Sequence, residues 1–179
     1  MTWGRTAAGL VAVVLFGAVA AADARPFTAL VGPMMARADV WLHQQPVYDQ
    51  DRCYAADDGY SRTDWNGVLG GCHQPAYRTD CSGFVSMVWG LPVSYATPRD
   101  GLAHDLTDVS RVITKEQLRT GDALLAWGRH VRLFDHWTDA TRTSYLAYDF
   151  GATPVKHQVY LWGAPGEYTY VPIRYDPAG

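Results

Sequence analysis

The stretch that decides the fold reads Tyr77-Arg78-Thr79-Asp80-Cys81-Ser82-Gly83-Phe84-Val85-Ser86-Met87-Val88-Trp89. Phe84, Val85, Val88 and Trp89 recur at helical spacing, and Thr79 and Asp80 are residue types that precede a helix and accept hydrogen bonds from its free N–H groups. The pattern predicts a buried helix with Cys81 in its first turn, ending near Gly90 with Pro92 beyond it. The partial positive charge of a helix end favours thiolate over thiol, and thiolate is the nucleophile. Cys81 is therefore expected to be reactive.

The rest of the chain frames that thiol. With 179 residues, 48% hydrophobic and 18% charged, the sequence suits one globular domain with a sizeable core. A net charge of −3 with interspersed signs offers no basic surface for nucleic acid. At the start, Arg5 precedes an apolar run over residues 7–20, and Ala22-Asp23-Ala24 carries small residues where a signal peptidase cuts. Residues 1–24 read as a signal peptide, with a cut after Ala20 or an uncleaved anchor as alternatives. The run is short for a membrane span of about 20 residues. A secreted protein of residues 25–179, with no membrane span once the leader is removed, is expected.

Export sorts the three cysteines, because an oxidising compartment tends to close a spare pair. Cys53 and Cys72 flank a polar loop over residues 54–71 that shows no clear hydrophobic period, and they are the candidate disulfide. Cys81 is then the odd thiol. Pairing of Cys72 with Cys81 is the rival arrangement, and it would silence the thiol.

Upstream, residues 33–44 place Met34, Ala38, Trp41 and Leu42 on one face, with Pro33 in a first-turn position, and predict an amphipathic helix. Trp65-Asn66-Gly67 and Gly70-Gly71 supply turn chemistry. Residues 98–120 are polar and weakly patterned, holding at most a short helix over 114–118. Five segments then read as strands: 123–127, 131–134, 144–148, 155–161 and 168–173. Their short connections predict an antiparallel sheet of about five strands packed on the Cys81 helix, an α+β fold.

A thiol nucleophile needs a base that works near neutral pH, which points to histidine. His130 is best placed, at the entry of a strand facing the helix. His136 lies at the far end of that strand, and His43, His73 and His104 fall in polar contexts. His157, also in a strand, is the competitor. Asp149, at the end of the following strand, could orient the His130 imidazole, and His157 could do so instead. The histidines lack the close spacing of a metal site, and no cofactor is called for.

Together, Asp80-Cys81-Ser82-Gly83-Phe84-Val85, then Gly121-Asp122-Ala123-Leu124-Leu125, then His130-Val131 resemble the NlpC-type cell-wall cysteine peptidases in order and spacing. The likeness runs over residues 48–159. It implies a papain-like α+β core with N-terminal helices on the sheet, and hydrolysis of amide bonds in peptidoglycan stem peptides near a γ-linked D-glutamyl residue, through a thioester. It implies Cys81 as nucleophile and His130 as general base and acid. Val47-Tyr48 resembles the family's Pro-Tyr element, so Tyr48 is expected to serve the oxyanion or substrate, together with Asp80 and Ser82 beside the nucleophile. Asp149 stands where the family commonly has His, Asn or Gln, and the loop between Cys53 and Cys72 is expected at the cleft rim. The expected partner is peptidoglycan or its peptide fragments, and the expected state a monomer. An amidase or acyl/amine transferase using the same thiol, or a catalytically silent wall-binding domain, are the alternatives.

Overall fold

The computed structural model describes Met1 and residues 26–63, 71–97, 104–165 and 167–177. Apart from Met1, the leader read over residues 1–24 lies outside the described residues, as do Trp65-Asn66-Gly67 and Gly70. Among the described residues the fold is mixed, with two α-helices and two antiparallel sheets.

Helix α1 (Phe27–Gln44) precedes strands β1 (Asp49–Ala55) and β2 (Gly59–Arg62), and β3 (Tyr77–Thr79) leads into helix α2 (Cys81–Trp89). Then come β4 (Ser110–Val112), β5 (Ala123–Ala126), β6 (His130–Trp137), β7 (Ser144–Asp149), β8 (Lys156–Leu161) and β9 (Val171–Tyr175). The small sheet has the order β2-β1-β3, and the large one β4-β9-β5-β6-β7-β8.

The large sheet buries both faces, because side chains alternate along a strand. On β6, Val131 and Leu133 point into the main core with Phe84, Val85 and Val88 of α2 and Met34, Ala38 and Trp41 of α1. Phe134 belongs to a second cluster with Leu124, Tyr145, Ala147 and Tyr160, flanked by Trp137, Trp162 and Tyr170. The sheet is thus helix-covered on one face and covered by aromatics on the other. Helix α1 is tied to α2 by Arg37, whose Nε donates to the Val88 carbonyl at 2.8 Å. The Trp89 indole donates to the Gly121 carbonyl at 2.9 Å, fixing α2 to the turn that starts β5.

Four expectations change. Helix α1 starts six residues early, at Phe27, so Pro33 lies inside it. The missing Pro33 N–H forfeits one backbone hydrogen bond, but burial of Met34, Ala38 and Trp41 holds the helix across it. The loop expected between the first two cysteines contains the end of β1 and all of β2, whose polar residues mask strand character and whose order comes from pairing: Cys53 opposite Ser61 and Tyr54 opposite Tyr60. The polar stretch before residue 120 supplies β4, paired with β9 through Ser110 opposite Tyr175. Among the described residues the main sheet therefore has six strands.

Cys53 on β1 is joined to Cys72, with a Cα–Cα distance of 5.7 Å, and Cys81 is the free cysteine. The rival bridge from Cys72 to Cys81 is excluded in this structure. The bridge spans 19 residues, and in the chain-entropy account it stabilises by about 3 kcal/mol. Cys53→Ser/Cys72→Ser should lower the free energy of unfolding by about that amount, read from the midpoint of urea unfolding. An unchanged midpoint would show that pairing in the small sheet is sufficient alone.

Candidate active site

Asp80 takes an extended conformation just before α2, where its Oδ1 accepts the Gly83 N–H at 2.7 Å and its carbonyl accepts the Phe84 N–H at 2.9 Å. This satisfies donors that a helix start leaves free. The opposite oxygen, Oδ2, accepts Arg78 Nε at 2.6 Å. The Arg78 guanidinium, 2% exposed, also donates from Nη2 to Ser82 Oγ at 2.7 Å and to the Tyr95 carbonyl at 3.0 Å. Gly83 is required here because a β-carbon at that position would run into the Arg78 carbonyl oxygen. The side chains of Asp80 and Ser82, expected to meet substrate or oxyanion, are instead buried and held by Arg78. In this arrangement they shape the helix start that carries Cys81.

Cys81 is 6% exposed. Burial first, and the neighbouring Asp80 carboxylate second, push its thiol up to about 12, against smaller opposing effects of the Val131 and Ser82 backbone amides and of Arg78. The expectation of a resting thiolate is corrected: the capping carboxylate offsets the field of the helix end, and removal from water penalises the charge. Alkylation of Cys81 by iodoacetamide should accordingly climb about tenfold per pH unit from roughly pH 7 to 10, following the thiolate fraction. A rate that is level across neutral pH would reveal a preformed thiolate and overturn this reading.

The interaction with Val131 matters, because Val131 follows His130 at the start of β6 and so brings the base candidate's backbone to the sulfur. His130 Nε2 lies 3.0 Å from Asp149 Oδ1. The same carboxylate accepts the Gly151 N–H at 2.9 Å, Arg132 Nε at 2.6 Å and the Tyr160 hydroxyl at 2.9 Å. Burial alone would raise the Asp149 carboxyl, but its hydrogen bond and charge interaction with His130 and those with Arg132 outweigh burial and hold it below the usual range. With Nε2–H donating to an ionised Asp149, Nδ1 is the ring nitrogen left to exchange a proton. Nδ1 has no hydrogen-bond partner among the described residues. Gly151 packs against this ring, and a β-carbon there would sit 3.1 Å from His130 Cε1.

The competitor His157 lies elsewhere. Its Nε2 is 2.9 Å from Asp135 Oδ2 and its ring stacks on Tyr148 at 3.8 Å, while His136 contacts Asp135 from the other side. Strand alternation explains the separation: Tyr148 and its register partner His157 project to one face and Asp149 to the other. His43 and His73 are exposed, and His104 packs edge-on to Tyr95 at 5.6 Å.

Tyr48 is half-buried beside the thiol. Its N–H donates to Thr153 Oγ1 at 2.7 Å, its ring meets Phe150 edge-on at 5.4 Å, and its hydroxyl accepts Gln50 Nε2 at 3.3 Å. Burial raises the phenol, and the charge of Cys81 adds to the shift, so the hydroxyl lies within electrostatic reach of the sulfur. It stays a neutral donor at physiological pH.

Arg132, Tyr160 and Glu167 were missed by reading the sequence. Arg132 Nη1 donates to Glu167 Oε2 at 2.9 Å, and its guanidinium carbon lies 3.7 Å from the Tyr160 ring centroid. The signal was present in part: Arg132 is two residues from His130 in a strand of apolar residues, which sets both on one face. No protein-family model, curated protein or solved structure matches the chain.

Proposed function

We propose that the protein is a secreted cysteine hydrolase that cleaves amide bonds in peptidoglycan stem peptides, on a papain-like arrangement of helix and sheet. The observation that carries this reading is the His130–Asp149 pair, 3.0 Å apart, with His130 on β6 immediately before Val131, whose backbone amide interacts with the sulfur of Cys81 at the start of α2. In the proposed reaction, substrate carbonyl enters beside Cys81, Nδ1 of His130 takes the thiol proton as the sulfur attacks, and a thioester forms. The imidazolium, held by Asp149, returns the proton to the departing amine, and water then releases the acyl group. Because the resting thiol is protonated, proton transfer accompanies attack instead of preceding it.

The closed Cys53–Cys72 bridge supports export, and no helix among the described residues is long and apolar enough to cross a membrane. Tyr48, with the Cys81 N–H, supplies the oxyanion donors in this reading. Tyr48→Phe should lower kcat by about a hundredfold with little change in KM, as loss of one such donor does, and an unchanged kcat would remove Tyr48 from the site. The burial of Cys81 favours one second reading, a wall-binding domain without turnover. Mass spectrometry of muropeptides incubated with the protein separates the two. New free carboxyl and amine ends at one amide are expected, and intact muropeptides that bind without cleavage would establish the silent domain.

A further inference from the structure

Every acceptor position on Asp149 is taken. Oδ1 meets His130 Nε2 at 3.0 Å and the Gly151 N–H at 2.9 Å, while Oδ2 accepts Arg132 Nε at 2.6 Å and the Tyr160 hydroxyl at 2.9 Å. A carboxylate offers about four such positions, so Asp149 cannot turn without giving up several bonds. Arg132 lies two residues from His130 on β6, shares its face and is 7% exposed. By holding Oδ2 it leaves Oδ1 for the imidazole.

Arg132 is itself held from several directions. Nη1 donates to Glu167 Oε2 at 2.9 Å and to the Tyr145 hydroxyl at 3.3 Å, and Nη2 reaches Glu167 Oε1 at 3.5 Å. Its guanidinium carbon lies 3.7 Å from the Tyr160 ring centroid and 5.0 Å from that of Tyr170. Charge adds to geometry. Two carboxylates, Asp149 and Glu167, face one permanent cation, Arg132, and one group that is a cation only while it holds a proton, His130. The set balances when His130 is the imidazolium. Were Glu167 uncharged, Arg132 would offset Asp149 alone, and the proton on His130 would be a surplus charge in a buried place where such a surplus is costly. The other titratable groups around His130 are Tyr168, whose ring centroid is 6.1 Å away, the Tyr160 hydroxyl on Asp149, and Cys81 of α2, reached through the Val131 backbone amide. Arg129 precedes it in the turn between β5 and β6.

We infer that Arg132 and Glu167 are positioning residues for the His130–Asp149 pair. Arg132 fixes which Asp149 oxygen meets Nε2, and so which ring nitrogen is left to exchange a proton. Glu167 offsets Arg132, so that Asp149 keeps its attraction for the imidazolium. Both residues act through Asp149. The inference rests on the hydrolase reading for its place in a reaction, but the tautomer and titration of His130 are read without turnover.

Proton–nitrogen NMR spectra of the histidine rings in the full chain report tautomer and protonation, with the His130 signals assigned by their loss in His130→Gln. Glu167→Gln keeps an acceptor for Arg132 and removes only the charge, so His130 should lose its proton at a pH about half a unit lower than in wild type. Arg132→Lys keeps the charge but cannot bond Asp149 and Glu167 together as the planar fork does. In that variant the Nε2–H form at high pH should give way to a mixture of both tautomers. The Glu167 side chain is 28% exposed, so Glu167→Gln serves if Arg132→Lys fails to fold. A purely structural role would lower the melting temperature and move neither readout. Either an unmoved titration in folded Glu167→Gln or a single tautomer in folded Arg132→Lys would overturn the proposal. With muropeptides, Glu167→Gln should lower kcat at least about threefold with KM within about twofold, and an unchanged kcat beside a cleaving wild type would overturn it too. No cleavage by wild type, with both NMR readouts moving as expected, would overturn the hydrolase reading and leave the positioning pair standing.

Discussion

Cys81→Ala is expected to leave muropeptides uncut while the protein stays folded. The substitution removes the only atom in the site that can form a thioester, and where nucleophile and base act as a unit the loss of either costs on the order of 10^6 in kcat. Its structural cost is small by comparison. The side chain loses one sulfur atom and no ion pair, so a loss of about 1 kcal/mol is expected, within the ordinary range for a single substitution. Mass spectrometry of the digest and a thermal melt of the same sample read both quantities. Retention of cleavage in the folded variant would end the cysteine mechanism.

The largest effect on stability is expected at Arg78. Its guanidinium is 2% exposed and Asp80 is 4% exposed, with 2.6 Å between Nε and Oδ2. Removing one member of such a buried pair leaves the other charge unsatisfied in a poorly hydrated place, at about 3–5 kcal/mol. Arg78→Met keeps the length and apolar bulk of the side chain, so it isolates the charge. The melting temperature should drop by roughly 10 °C for a chain of this size. Arg78→Lys should recover little, because a single ammonium cannot reach Asp80, Ser82 and the Tyr95 carbonyl together as the planar fork does. A melting temperature within about 2 °C of wild type for Arg78→Met would show that water reaches Asp80 and that the network is not what holds the helix start.

The sequence reveals most where periodicity and a physical constraint coincide. Helix α2 and strands β5 to β9 were legible because apolar runs of the right period lie between turn residues, and all five strands are found at about the expected places. Strands β1 and β2 were not, since Asp49, Gln50, Asp51 and Arg52 present no alternation, and the pairing that orders them, of β1 with β2 and with the more distant β3, is not written in either strand alone. The same holds for Pro33, a residue that reads as a helix start but is overridden by burial on either side. At the site, the pairing of His130 with Asp149 follows from two adjacent strands and was accessible. The Asp149–Arg132–Glu167 chain was hidden, because Glu167 comes from a connection whose path no local pattern dictates. The protonation state of Cys81 was misjudged for a related reason: a helix start argues for thiolate only when its cap is neutral and its surroundings wet, and burial is a property of the whole fold.

The cap on α2 has a further effect on chemical durability. It is the thiolate that attacks peroxide and foreign disulfides, so a sulfur kept as S–H by burial and by Asp80 is oxidised slowly to sulfenic acid or mixed disulfide. The chain carries one bridge, Cys53–Cys72, that needs oxidising surroundings to persist, and one cysteine that must avoid them. In the proposed reaction, holding Cys81 protonated until a substrate and His130 act on it would let both coexist in a single compartment.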